Sequence, residues 1–173
     1  MDPDRLASTF PKPIELPIEL RALCKWHEKH GYPISGYFRL REHDDITLRC
    51  WFGSDKAIGQ LAQFGAGPDG SLYCIWDHGD GRFPIVHMGS EGQNNFVLSS
   101  DALEFLRLLA IGYDEIGFDN LSMRPKGDEI NPAFQSWVSK EFGVSIPKTG
   151  IEITFLAQEG HERFQDWIEA RCG

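Results

Sequence analysis

The chain has 173 residues, 41% hydrophobic and 25% charged, enough for one domain that buries roughly 70% of its unfolded surface. No apolar run approaches the roughly 20 residues of a membrane span. The polar, acidic start MDPDRLASTFPKP lacks the charged-then-apolar order of a secretory signal, so the cytoplasm is the expected location.

The net charge of −9 is unevenly placed. Residues 1–65 hold 9 acidic and 9 basic side chains, whereas 66–101 hold 5 acidic against Arg82 alone, and 102–130 hold 6 against 3. A duplex-binding protein needs cations to displace phosphate counterions, so nucleic acid is disfavoured as a direct partner. A basic protein partner suits this balance, and so does simple solubility.

In chain order, 16–30 predicts a helix through Ile18, Leu20, Leu23, Cys24 and Trp26, with Gly31 as its stop. Alternation in 37–41 and again in 46–52 predicts a hairpin with one wet face, turned by His43-Asp44-Asp45. Ser54 is a candidate cap for a short helix through Leu61 and Phe64. A glycine-rich loop over 65–70 then precedes a strand over 71–76.

The stretch 82–110 is the most informative. Phe83, Pro84, Ile85 and Val86 form a short apolar run, Gly89-Ser90-Glu91-Gly92 breaks it, and Phe96, Val97 and Leu98 resume it. Asp101 with Glu104 three residues later has capping-box spacing. The following helix carries Ala102, Leu103, Phe105, Leu106, Leu108, Leu109 and Ala110, with only Glu104 and Arg107 charged. It should be buried around most of its circumference.

Residues 112–130 read as an acidic loop. Asn131 and Pro132 then supply a cap and a preorganised first turn for a helix bearing Phe134, Trp137, Val138 and Phe142, which Gly143 can end. The β-branched content of 151–156 leaves strand and helix both open. Phe164, Trp167 and Ile168 share one face of a terminal helix. The fold class is α+β: a largely antiparallel or mixed sheet packed against several helices.

Each chemical motif has a structural competitor. Residues 65–70 match G-x-G-x-x-G, but a dinucleotide loop needs a strand before it and a helix after it, and here the reverse order is expected. Asp77-His78-Gly79-Asp80-Gly81, with His87 nearby, offers oxygen and nitrogen donors, yet an Asp- and Gly-rich β-turn explains the same letters. His27 and His30 are helix neighbours without a third ligand. Ser90 is not in a nucleophile elbow and is expected to shape its turn. The four cysteines lack any C-x-x-C pair, and Cys50 and Cys74 fall in apolar strand candidates as small buried hydrophobes. Trp76, Trp137 and Trp167 sit at apolar positions that predict core packing. The expectation is no catalytic set, no metal and no cofactor.

The block PIVHMGSEG…FVLSSDALEFLRLLA resembles the SUKH superfamily of Smi/Knr-type proteins, and NPAFQSWVSKEFG and HERFQDWIE resemble its later helices. The likeness covers roughly Gly65 to the C-terminus, and it favours helix from about residue 151 onward. It implies an immunity protein that binds and neutralises a cognate toxin, one that is basic and encoded beside it. A regulatory interaction or scaffold module of the same superfamily is the alternative. An enzyme built on Asp77, Asp80 and His87 is a more distant one. The acidic turn residues Asp69, Asp77, Asp80 and Glu91 are the expected contact with the partner.

Overall fold

The protein is described from a computed structural model covering residues 1–127, 130–161 and 163–173. Asp128 and Glu129 of the acidic loop, and Glu162 of the terminal block, lie outside these residues. The elements run α1 (Pro3–Ser8), α2 (Ile18–His30), β1 (Arg39–Leu40), α3 (Asp45–Phe52), β2 (Leu61–Ala66), β3 (Leu72–Trp76), β4 (Ile85–Met88) and β5 (Phe96–Ser99). Four more helices follow: α4 (Ala102–Leu109), α5 (Pro132–Phe142), α6 (Ile151–Glu159) and α7 (Phe164–Glu169). The strands form one antiparallel sheet in the order β1-β2-β3-β4-β5, so the expected α+β class holds. No helix among the described residues is long and apolar enough to cross a membrane.

The sheet is covered on both faces. Along β3, Tyr73 and Ile75 point into a large core with α2, α4 and α5, while Leu72, Cys74 and Trp76 point into a second core with α3 and α7. That explains why LYCIW is an unbroken apolar run and why all four residues of IVHM are buried, His87 included, since a strand covered on two sides has no exposed register.

Two expectations fail in the N-terminal half. Residues 46–52 are helical, not the second arm of a hairpin. Asp44 caps this helix through its carboxylate, which accepts from the Ile46 amide and the Thr47 hydroxyl, and Gly53 ends it in the left-handed conformation. Leu48 and Phe52, four apart, are buried while Ile46 is exposed, so period two was a coincidence of a short window. The extended partner is only Arg39–Leu40, and it pairs with β2. No helix starts at Ser54 and runs to Phe64; turns lead instead into β2.

The segment 65–70 therefore begins inside β2, with Gly65 and Ala66, and turns into β3, so a strand rather than the expected helix comes before the turn. Strand–turn–strand provides no helix N-terminus for a phosphate. Gly65 is there for packing: a Cβ would overlap the Phe38 ring, which packs edge-on to Tyr73 at 5.2 Å and Phe105 at 5.7 Å.

The central helix matches its expectation. Ala102, Phe105, Leu106, Leu108 and Leu109 of α4 are all buried. Asp101 accepts from the Glu104 amide at 2.8 Å, but the other arm of the capping box is diverted: the Glu104 carboxylate takes Arg107 Nη1 at 2.7 and 2.8 Å. Asn131 caps α5 and Gly143 ends it, both as expected. The open 151–156 stretch is helix, burying Ile153, Thr154 and Ala157 and held at its start by a 2.9 Å bond from the Gly150 amide to Tyr113 Oη.

Candidate functional site

In an antiparallel meander, alternate turns gather at opposite ends of the sheet. Asp69 in the β2–β3 turn and Glu91 in the β4–β5 turn share one end, while Asp77 and Asp80 in the β3–β4 turn occupy the other. The five residues of β3 span about 17 Å at roughly 3.4 Å each, so the four carboxylates do not make one patch. Their electrostatic states differ too. Asp80 bonds Arg82 through Nε at 2.6 Å and Nη2 at 2.5 Å, and that guanidinium pulls its carboxyl down to about 2. Arg82 also donates to the Gly160 carbonyl at 2.5 Å, so Asp80 belongs to a clamp between the hairpin and the α6–α7 link. Asp77 accepts from the Gly79 amide at 2.9 Å, shaping its own turn.

The Asp69 end is more acidic than the turns alone suggested. The loop after α4 folds back over the sheet and brings Asp114, Glu115 and Asp119 towards Asp69. Burial raises the Glu115 pKa, and the neighbouring charges of Asp69, Asp119 and Asp114 raise it further. Asp119 Oδ2 accepts from the Glu115 amide at 2.9 Å, fixing the loop. Between them Phe118 is 51% exposed, and Tyr37, 50% exposed, hangs from the same loop by its amide bond to the Asp114 carbonyl. A cavity of about 290 Å³ lies alongside, lined by Tyr113, Asp114, Asp119 and Met123 and by the cations Arg124 and Lys126.

The charge count over 102–130 contained this signal, yet Asp114, Glu115, Asp119 and Phe118 were not among the expected contact residues. Only the return of the loop across β4 unites them with Asp69, and no local pattern encodes that return.

The floor of this loop is His87, fully buried on β4. Its Nδ1 donates to the Asn94 carbonyl at 2.7 Å, and its ring meets Tyr73 at 5.3 Å, Phe96 at 5.7 Å and Phe118 edge-on at 5.9 Å. Burial lowers its pKa, against the bond to Asn94 and the charge of Asp69, which favour the proton. His87 pairs across the sheet with Tyr73, four residues before Asp77. The Asp77–Asp80–His87 group is therefore not assembled.

At the other end, His78 and His161 meet edge-on with ring centroids 5.3 Å apart. His78 Nδ1 lies 3.3 Å from Asp80 Oδ2, within ion-pair range but in geometry that makes no hydrogen bond. Among the described residues, no three His, Cys, Asp or Glu side chains are arranged to hold a metal ion. His27 takes the N-terminal ammonium at 3.1 Å and His30 bonds the Trp26 carbonyl at 2.8 Å, so each has a structural task.

The cysteines are all free. Cys74 is buried as expected, and burial pushes its thiol strongly up; the Cys24 thiol is pushed to about 11. Both are poor nucleophiles. Cys50 is exposed on α3, contrary to the strand expectation. Trp76 and Trp167 are buried against each other at 5.3 Å, and Trp137 packs on the larger core.

No protein family, characterised protein or solved structure matches this chain in comparison.

Proposed function

We propose that this chain is an immunity-type binding protein, acting in the cytoplasm, that captures and neutralises a basic toxin encoded beside it. One observation carries the reading: Asp69 from one segment and Asp114 and Asp119 from another all act on Glu115, in the loop that carries the half-exposed Phe118. A toxin that acts on nucleic acid has a basic substrate site, which such a surface complements. Phe118 then supplies the desolvated anchor and the carboxylates the rim. Charge complementarity raises association towards about 10⁸ M⁻¹s⁻¹ for steered pairs, which suits a partner that is harmful while free. The resemblance of 84–110 to Smi/Knr-type proteins points the same way, and those residues build β4, β5 and α4 behind this surface.

The test is co-expression with the product of the adjacent gene. Growth rescue and co-purification are expected, with Phe118→Ala weakening the complex at least tenfold. Failure of either neighbouring gene product to bind would overturn the toxin reading. The regulatory-scaffold alternative has one observation of its own. On α6, Ile151, Phe155 and Leu156 are 41%, 54% and 68% exposed, an apolar surface on a different element from Phe118. A partner lost with Phe155→Asp but kept with Phe118→Ala would favour it.

A further inference from the structure

The His87 imidazole is held in one tautomer. A carbonyl can only accept, so Nδ1 carries the hydrogen towards Asn94, and in the neutral ring Nε2 is a bare lone pair. That lone pair is buried without a hydrogen-bond partner. It faces the backbone of Gly117, where a Cβ would overlap Nε2, so only glycine lets the loop rest on this ring. Gly117 lies between Glu115 and Phe118, the residues of the contact surface itself. We infer that His87 is a proton-sensitive seat for the 114–119 loop, closed over a neutral imidazole and opened when Nε2 takes up a proton. This rests on the proposed function only for its consequence, which is release of a basic partner on acidification.

The argument follows from what surrounds the ring. Tyr73 and Phe96 flank it from the neighbouring strands, Asn94 occupies Nδ1, and Gly117 and Phe118 cover it. The ionisable groups on this side are Tyr73 on β3, Asp69 in the β2–β3 turn and Asp114, Glu115 and Asp119 of the loop, with Arg124 and Lys126 in the cavity beyond, and none of them bonds Nε2. A proton placed there would create a donor with no acceptor inside a closed, apolar seat, which is costly. Lifting Gly117 admits water and brings the cation towards those same carboxylates. The closed form binds one proton fewer than the open form, so falling pH favours opening.

The test is amide hydrogen exchange in the free protein. Phe118 and Asp119 donate their amides to the Glu115 carbonyl at 2.9 and 2.8 Å and report directly on the loop. Between pH 7.5 and 5.5 their protection, corrected for intrinsic exchange, should fall by up to about tenfold per pH unit, the limit for a one-proton opening. In His87→Gln, which has no group that titrates in this range, protection should be independent of pH. Gly117→Ala should lose protection already at pH 7.5. Constant protection in the wild type, or an equal fall in His87→Gln, would sink the inference. No partner enters this experiment, so its failure is separate from any failure to bind a toxin. Should His87→Gln not fold, the His87 ring proton shift in the wild type, followed by NMR, must titrate together with the loss of protection.

Discussion

Ser90 Oγ donates a 3.0 Å hydrogen bond to Asp69 Oδ2, tying the β4–β5 turn to the β2–β3 turn 21 residues earlier. Sequence reasoning gave Ser90 a local role within its own turn. Its partner is instead a carboxylate on the adjacent hairpin. Burial pushes the Asp69 pKa up, but hydrogen bonds from Ser71 and Ser90 outweigh that and hold it below the usual value. Asp69 is thus held towards its anionic form while Glu115 is pushed the other way, and the Ser90 bond joins the two turns into one rim.

The rim makes the position of the interface testable. Asp114→Lys with Glu115→Lys should slow association with a captured basic partner and flatten its salt dependence, because rim charges act mainly through steering. Asp77→Lys with Asp80→Lys should leave both unchanged, since that pair lies at the far end of the sheet and Asp80 is already matched by Arg82. Stopped-flow association at low and high salt reads the difference. The reverse pattern would move the interface to the β3–β4 turn.

The central helix provides the firmest prediction on stability. Leu106 is fully buried in the larger core. Leu106→Ala should cost about 2–5 kcal/mol, the range for a leucine truncated in a packed interior. Urea unfolding measures it, and a loss below about 1 kcal/mol would mean that α4 is peripheral.

What could be read from the sequence depended on whether the cue was local. Asp101, Asn131, Gly143 and the unbroken apolar letters of β3 act within a few residues, and each marked its element correctly, while the run 83–86 marked β4 two residues early. The 46–52 stretch failed although its cues were also local: Asp44 and Gly53 bracket a helix, but alternation over seven letters was given more weight. The grouping of Asp69 with the 114–119 loop was hidden for a different reason. Asp69 and Glu115 are 46 positions apart, and what joins them is a loop seated on His87 through Gly117. A glycine between two loop residues gives no sign of the ring beneath it.

Asn131 does more than cap a helix. Its Oδ1 accepts from the Phe134 amide at 3.1 Å, while its Nδ2 donates to the Pro33 and Ile34 carbonyls at 3.1 and 3.0 Å. Asn131→Ala should cost about 1–3 kcal/mol, a cap of about 1 plus two hydrogen bonds of at most about 1 each. Asn131→Asp separates the roles, because aspartate is as good a cap but cannot donate to two carbonyls. It should therefore destabilise in thermal or urea melts. If it proves neutral, the link from α5 to the 33–34 segment contributes nothing.

The His78–His161 contact predicts how stability responds to acid. Burial lowers the His161 pKa, and the positive charge of Arg82 and the proximity of His78 lower it further, with Asp80 opposing. The folded protein thus favours neutral His161, whereas the unfolded chain takes up a proton near the usual histidine value of about 6.5. Its contribution is complete above that value and is lost as pH falls through the window between the unfolded and the lowered folded pKa. His27 and His87 are shifted in the same direction, so the melting temperature should fall from pH 7.5 to 5.5. His161→Gln should reduce that fall without removing it. Arg82→Gln should act in two ways: it removes a cation that depresses His161, and it breaks the clamp to the Gly160 carbonyl. Melts should therefore show a lower temperature at pH 7.5 together with a shallower decline towards pH 5.5. An unchanged slope in both variants would show that the acid response arises elsewhere.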